Sequence, residues 1–436
     1  MSFVHFEWLC TIIFATGNGL AGNDFPGGIT MKLRFLPVLL LLAANCVSAQ
    51  TLSKSGRYEL DQFLSAAVSD TRIPGVVALV TNADGVIYHS AFGLMDSANA
   101  KAMTRDAIFR IASMTKPVTS LAVMMLVEEG LVDLDAPIET YLPDLADREV
   151  FTRFDVETGE YASRPAARSI TLRHLLTHTS GLGYTFDSPE LAKALGLDPQ
   201  QTATDLPLLH DPGAQWTYGQ STRVLGHLVE AVSGQALFAF MQSRILNPLG
   251  MHDTDYDIPA SKNARTVTVH RTDGTALIEQ PNRAGVISSP HHGDGGLAST
   301  ADDYSKFIRL FLNAGMTAQD ERLVSAATVS DMGSDTHMGD VRVRLMPTTS
   351  RLISEPFPLG AGVDTFGLGF QVTGQQLPSM RAPGSMAWAG IYNTEFWIDP
   401  VNGIGAVLMM QYLPFYDATA VEVLQGFEQR IYRSLE

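Results

Sequence analysis

The strand-forming runs of this chain fall near its two ends, and the long stretch between them reads as helical. Residues 75–81 and 86–89 are rich in aliphatic and β-branched side chains and flank Asn82-Ala83-Asp84-Gly85, a hairpin signal. At the other end, 366–373, 386–398 and 405–412 read as strands. The last two are joined by a turn at Asp399-Pro400-Val401-Asn402-Gly403. From Thr115 to about Ile258 the apolar spacing becomes helical, over 117–129, 172–176, 221–232 and 237–245. Gly130, Gly234 and Pro248-Leu249-Gly250 supply the stops. Residues 57–70, 302–313 and 417–435 add helices beside the strand-bearing ends. The pattern predicts an α+β fold: an antiparallel sheet built from both chain ends, flanked by helices, with an inserted mainly helical region. The expected division is 55–114 with 285–436 as an α/β domain and 115–284 as a helical domain, with the functional site at their seam. Residues 332–364 lack clear periodicity and read as a long surface excursion.

The first 49 residues stand apart from this pattern. Met31-Lys32-Leu33-Arg34 is basic, 35–44 is a short apolar run, and Val47-Ser48-Ala49 offers small residues before a cut. That is the layout of a secretory signal peptide at 31–49, too short for a transmembrane helix. Residues 1–30 read as an upstream extension. The chain is then expected to be exported, to the periplasm or the medium of a bacterium, with no stable membrane association. Both cysteines, Cys10 and Cys46, lie before the cut, so the mature chain is expected to have neither disulfide nor thiolate site. The roughly 390 residues left are enough for about two domains. A formal net charge of −16 argues against nucleic acid as a partner, which calls for clustered Lys and Arg.

Three segments carry groups suited to chemistry. Ser113 precedes Lys116 by three residues at the head of an apolar helix, and positions three apart share a face. A serine needs a neighbouring base to attack, and a lysine is one only where burial or nearby positive charge lowers its pKa. Among Lys32, Lys54, Lys101, Lys116, Lys193, Lys262 and Lys306, only Lys116 has a serine three residues before it. The tetrapeptide alone also fits a solvated pair on a surface helix. Tyr218 follows a Pro212-Gly213 turn and precedes a helix with Ser221 as its expected N-cap. Its phenol can relay a proton beside a lysine, or be an ordinary core hydroxyl. Trp388-Ala389-Gly390-Ile391-Tyr392 lies on a strand where Gly390 permits close backbone approach. Backbone amides there, with that of Ser113, can face a developing oxyanion, and a bulged interior strand fits equally.

The histidines point elsewhere. His174 and His178 lie four apart, but Thr177-His178-Thr179-Ser180-Gly181 reads as a helix end, and a structural role is expected. His291-His292-Gly293-Asp294 precedes a Gly-Gly turn and reads as a loop at a surface or cleft edge. No metal or other cofactor is expected, and no phosphate or dinucleotide loop is present.

In order along the chain, these segments resemble the class C β-lactamase and penicillin-binding-protein family of serine hydrolases. Phe109-Arg110-Ile111-Ala112-Ser113-Met114-Thr115-Lys116 resembles its nucleophile motif. Leu175-Leu176-Thr177-His178-Thr179-Ser180-Gly181-Leu182 and Gly295-Gly296-Leu297-Ala298-Ser299-Thr300 resemble two further hallmarks. Tyr218-Gly219-Gln220 stands in place of Tyr-x-Asn, and Trp388-Ala389-Gly390 in place of Lys-Thr-Gly. The resemblance spans about 58–432. It implies Ser113 as nucleophile, Lys116 and Tyr218 as its proton partners, and an oxyanion hole from the amides of Ser113 and Ile391. Gln220, Trp388, Ala389 and Gly390 would bind substrate. Trp388 and Ala389 offer neither cation nor hydroxyl for a lactam carboxylate, a pattern similar to the β-lactamase-like (family VIII) carboxylesterases. The implied activity is cleavage of small-molecule esters through an acyl-enzyme. β-Lactamase or D-amino-acid peptidase activity, acyl transfer to an alcohol, and a non-catalytic binding protein are the alternatives. The absence of Gly-x-Ser-x-Gly counts against the α/β-hydrolase route.

Overall fold

Gly75-Val76-Val77-Ala78-Leu79-Val80 carries no polar side chain, and a strand of that composition needs apolar cover on both faces. In the computed structural model it lies in strand β1 (Gly75–Asn82), buried along its whole length. The structure describes residues 50–70, 73–197, 204–272, 276–280 and 291–436. The expected leader at 1–49 and the expected boundary at 284/285 lie outside the described residues.

β1 turns into β2 (Val86–Asp96) through a tight hairpin. The Asn82 carboxamide accepts hydrogen bonds from the Asp84 and Gly85 amides at 2.9 and 2.8 Å, the side-chain-to-backbone closure that favours Asn in turns. On its other edge β1 pairs antiparallel with the last long strand, Val77 opposite Met409. The C-terminal strands β3 (Met386–Gly390), β4 (Thr394–Asp399) and β5 (Ile404–Met409) form a meander, giving the order β3-β4-β5-β1-β2. Short strands extend it to eight: Thr365–Phe366 and Gln371–Val372 beyond β3, and Lys101–Ala102 beyond β2. One antiparallel sheet is thus assembled from both chain ends.

Strand periodicity assigns the two faces. Val76, Ala78 and Val80 pack against Leu60 and Leu64 of α1 (Lys54–Ser69) and Val423, Phe427 and Ile431 of a C-terminal helix, Ala418–Arg433. The backbone ties these two helices end to end, the Ser53 amide donating to the Ser434 carbonyl at 2.9 Å. Val77 and Leu79 face the other way, into a core that runs through Phe307 and Ile308 to α2 (Thr115–Glu128) and the central helices. Each fully buried aliphatic side chain here contributes about 1.5–3 kcal/mol. α2 is buried from Thr115 to Leu126, as befits a helix apolar on all sides. It is followed by α3 (Ser221–Ser233), α4 (Ala301–Leu312) and then the C-terminal helix, α5. Among the described residues no single helix is long and apolar enough to cross a membrane.

The structure departs from the sequence expectations in four places. Residues 386–398 are two strands, because Asn393 takes a left-handed turn conformation (φ 60°) and its carboxamide donates to the Tyr412 and Pro414 carbonyls at 2.9 and 3.0 Å. Residues 366–373 are broken at Gly369 (φ 108°), whose chain passes so close to Ser120 that a Cβ would lie 2.4 Å from the serine Cβ. The helical region holds a hairpin, Glu149–Phe154 with Tyr161–Pro165. Its turn is fastened by Asp155 and its face by Phe151, Phe154 and Tyr161. Residues 332–364 are no mere surface excursion, since Met338, Val343, Met346 and Phe357 are core residues.

Candidate active site

Ser113 sits on a short 3-10 turn (Ala112–Met114) that leads directly into α2. Ala112 holds φ 43°, a left-handed value that costs an L-residue about 1–2 kcal/mol and persists only where the surroundings enforce it. The enforcement is visible on both sides. The Ile111 amide donates to the Leu297 carbonyl at 3.0 Å, and the Met114 carbonyl accepts from the Tyr304 hydroxyl at 2.9 Å. Gly390 closes the third side. A Cβ on it would lie 2.3 Å from the Ile111 carbonyl oxygen and 2.3 Å from Thr394 Oγ1, so only glycine lets the end of β3 press against the turn that carries Ser113.

Lys116, one helical turn on, reaches back with Nζ 3.1 Å from Ser113 Oγ. The ammonium also donates to the Asp294 carbonyl. Two buried threonines hold that loop over α2: Thr119 donates to the Gly293 carbonyl at 2.6 Å, and Thr115 accepts from the Leu297 amide at 3.1 Å. The Lys116 side chain is 2% exposed. Desolvation pulls its pKa down to about 7; Arg223 adds to the fall, while Asp294 and Asp187 oppose it. Tyr218, from the loop ahead of α3, donates its hydroxyl to Ser113 Oγ at 2.7 Å. Its ring lies 4.9 Å from the Lys116 nitrogen. Burial drives the phenol pKa well up, with only partial offset from Ser113 and the Trp388 indole. The indole Nε1 faces the phenol at less than full hydrogen-bond geometry.

His178 explains how the phenol is held. It is buried, and its ring packs 5.1 Å from Tyr218, 5.2 Å from Phe366 and 6.5 Å from Trp388. Desolvation, reinforced by Lys116, lowers its pKa to about 3, so it packs as a neutral ring. His174 serves locally, its Nδ1 accepting from the Thr171 amide at the start of the helix Leu172–Leu176. His291 stacks on Tyr256 at 4.4 Å.

A cavity of ≈ 530 Å³ opens from this point, and Ser113, Tyr218, Trp388, Ala389 and Ile391 all line it. Among the described residues the Ser113 and Ile391 amides make no turn or cap hydrogen bond, which suits both to act as donors. Gly390 and Gln220 do not line the cavity. Gly390 acts through the close approach above, and Gln220 is the N-cap residue of α3, a place expected for Ser221. Ser221 is the first helical residue and bonds Ser180 at 2.8 Å.

Sequence reading missed several polar residues here. The Asp294 carboxylate accepts from the Tyr184 hydroxyl at 2.5 Å and pairs with Arg223 Nε at 3.2 Å. Burial would raise its pKa, but Lys116 and Arg223 prevail and hold it below the usual range. Asp187 is buried with neither carboxyl oxygen in a regular hydrogen bond. Desolvation raises its pKa to about 8, with the Tyr184 and Asp187 amides and Lys116 only partly offsetting it. Asp294 stands immediately before the Gly295-Gly296-Leu297 segment, the one signal that pointed to it. Phe186, Phe357, Val363, Phe415 and Tyr416 wall the cavity, part of that wall coming from the excursion at 332–364.

The β-lactamase family profile matches residues 60–425. A lovastatin esterase from Penicillium rubens is 30% identical over 400 residues, covering 86% of this chain and 98% of that protein. A monacolin J acid methylbutanoyltransferase from Aspergillus terreus is 29% identical over 391 residues, covering 84% of this chain and 93% of that one. Among solved structures, a variant of simvastatin synthase from Aspergillus terreus superposes with a TM-score of 0.75 at 28% identity, covering 87% of this chain and 95% of that one. Sequence and fold agree over most of the length: this chain belongs to the β-lactamase family.

Proposed function

We propose that the chain is an exported serine hydrolase that cleaves neutral, largely apolar carboxylic esters through an acyl-enzyme on Ser113. The observation that carries this reading is one oxygen held by two proton carriers: Ser113 Oγ lies 3.1 Å from Lys116 Nζ and 2.7 Å from the Tyr218 hydroxyl, at the head of a cavity. With a pKa near 7, about half of Lys116 is neutral at that pH. A buried phenol keeps its proton far above it. The magnitudes divide the labour. The neutral Lys116 amine takes the Ser113 proton as Oγ bonds to the ester carbonyl carbon, and the carbonyl oxygen becomes an oxyanion facing the Ser113 and Ile391 amides. As the C–O bond to the alcohol breaks, Tyr218 gives its proton to the leaving oxygen and recovers one from the Lys116 ammonium. Water then repeats the sequence against the acyl group.

The cavity supports an ester over a lactam. Arg381, the cation among its lining residues, is already held by Glu428 at 2.7 Å, and Trp388 stands where the lactam hydrolases place lysine. Ser113→Ala is expected to lower kcat/KM on p-nitrophenyl butyrate by about a thousandfold or more and to abolish labelling by a fluorophosphonate. Full activity in that variant would end the proposal. Export rests on the segment at 31–49; a mature N terminus at Gln50 is the mass-spectrometric result it requires, and an uncut chain in the cytosol refutes it.

Transfer of the acyl group to an alcohol is a second reading, favoured by the transferase and synthase named among the relatives. Adding a primary alcohol to the p-nitrophenyl butyrate reaction separates the two. Ester product outweighing butyrate at millimolar alcohol makes the chain a transferase.

A further inference from the structure

The cavity does not end at the catalytic residues. Its lining also takes in Phe357 and Tyr416, and Leu424 and Glu428 of α5. Glu395 lines it too, on β4 directly opposite Ala389 of the Trp388-Ala389-Gly390 strand. It is 8% exposed. Its charged neighbours Arg381, Glu428 and Asp364 are satisfied. Arg381 donates to both Glu428 oxygens, at 2.8 and 2.7 Å, and its backbone amide adds a third bond at 2.9 Å. Asp364 accepts from Gln371 at 2.6 Å and from the Gly374 amide at 2.9 Å. The Glu395 carboxyl lines the cavity and has no hydrogen bond or ion pair among the described residues. A carboxyl taken out of water without a partner is costly. Its retention beside a fully paired Arg381 makes sense if a guest supplies the missing bonds.

We propose that Glu395 is a specificity-determining residue: it hydrogen-bonds a neutral hydroxyl or carbonyl that the ester substrate carries at a distance from its scissile bond. The substrate class is then an oxygenated ester, apolar along its middle where Phe186, Phe357 and Tyr416 wall the cavity, and polar at the end away from Ser113. Desolvation, helped by Glu428 and opposed by Arg381, raises the Glu395 pKa well above the usual range. In its protonated form, which that shift favours, the acid offers both a donor and an acceptor, which suits a hydroxyl or carbonyl and gives an ammonium no counter-charge. This inference rests on the esterase reading above.

The experiment compares matched pairs of esters. One series is p-nitrophenyl alkanoates of increasing length against their ω-hydroxy and ω-amino counterparts; the other is alkyl butyrates against the monobutyrates of the corresponding diols. The wild-type enzyme is expected to favour the hydroxylated member by about tenfold in kcat/KM at the length that reaches Glu395, the worth of one buried hydrogen bond. Glu395→Leu is expected to remove or invert that preference, and Glu395→Gln to keep most of it. Each ratio is taken within one variant, so partial misfolding cancels. An unchanged ratio in Glu395→Leu, or no hydroxyl preference at any length in either series, overturns the proposal. A preference for the ω-amino ester overturns it too, since that requires a carboxylate. These outcomes leave the esterase reading intact as long as Ser113→Ala is inactive; activity in Ser113→Ala removes both.

Discussion

The charge balance around Lys116 gives a test with two opposite signs. A protonated Lys116 cannot accept the Ser113 proton, so kcat/KM should rise with pH through an apparent pKa near 7. Desolvation sets most of the depression, Asp294 raises the value and Arg223 lowers it. Asp294→Asn removes the negative charge, keeps an acceptor for Tyr184 and exposes Lys116 to Arg223. For charges on the order of 7 Å apart at an effective dielectric near 30, the interaction is about 1.5 kcal/mol, or about one pKa unit. The acidic limb should move down by about one pH unit in Asp294→Asn. It should move up in Arg223→Gln, by less because Arg223 is a third exposed and more screened. The assay is kcat/KM on p-nitrophenyl butyrate from pH 5 to 9 at low ionic strength, corrected for spontaneous hydrolysis. Tyr218→Phe adds a control: the limb should persist while the rate falls about a hundredfold or more. Two shifts of the same sign would refute this charge balance, and a limb that vanishes with Tyr218 would show that the phenol and not the amine is the base.

Asp187 predicts a pH-dependent stability. Its folded pKa, about 8, lies above the ordinary carboxyl value of 3.8. The folded state therefore holds the extra proton between those values, and stability is full below about pH 4 and lost as pH rises toward 8. The loss is at most about 6 kcal/mol. Asp187→Asn should flatten that decline in urea melts at pH 4.5 and 8, and equal slopes in the two proteins would refute the assignment. Gly390→Ala places a methyl 2.3 Å from the Ile111 carbonyl. It should cost about 1–3 kcal/mol of stability and about a hundredfold or more in kcat through the displaced Ile391 amide. A variant with wild-type kinetics would separate β3 from the oxyanion contact.

What the sequence disclosed depended on distance along the chain. Ser113 and Lys116 were legible because a helix brings positions three apart onto one face, a local rule. The sheet was legible because β1 and the C-terminal strands are apolar enough to need cover on both faces. Tyr218 was a plain aromatic until its place in an ordered set of motifs gave it a role, since nothing local says that a residue 105 positions from Ser113 will touch it. Asp294, 178 positions from Lys116, was marked only by the Gly-Gly segment that follows it, and Glu395 had no local signature, because an acidic residue in a strand reads as surface. The hairpin within 386–398 was hidden for a different reason. Its turn uses Asn393 in a left-handed conformation, between residues that continue the strand composition on either side.

One physical cause unites the site. Ser113, Lys116, Tyr218 and Glu395 share surroundings built from His178, Trp388, Phe357 and Tyr416, which carry little charge of their own. In such surroundings every group is pushed toward its neutral form. For an amine that means a fall toward working pH; for a phenol and a carboxyl it means a rise away from it. On the proposed mechanism the same desolvation suits Lys116 to act as a base, Tyr218 to give a proton and Glu395 to bond in its neutral form, without a dedicated charge for each. Asp294 and Arg223 are the exception, an ion pair of a buried carboxylate with a guanidinium that is a third exposed. Their position suits fine adjustment of Lys116, because a charge at that range moves the amine by about a unit while burial moves it by several. A site of this kind should tolerate exchange of its charged neighbours with modest shifts in pH profile. Admission of water, for instance by His178→Ala beneath the phenol, would remove the common cause and return Lys116 and Tyr218 together toward their ordinary values.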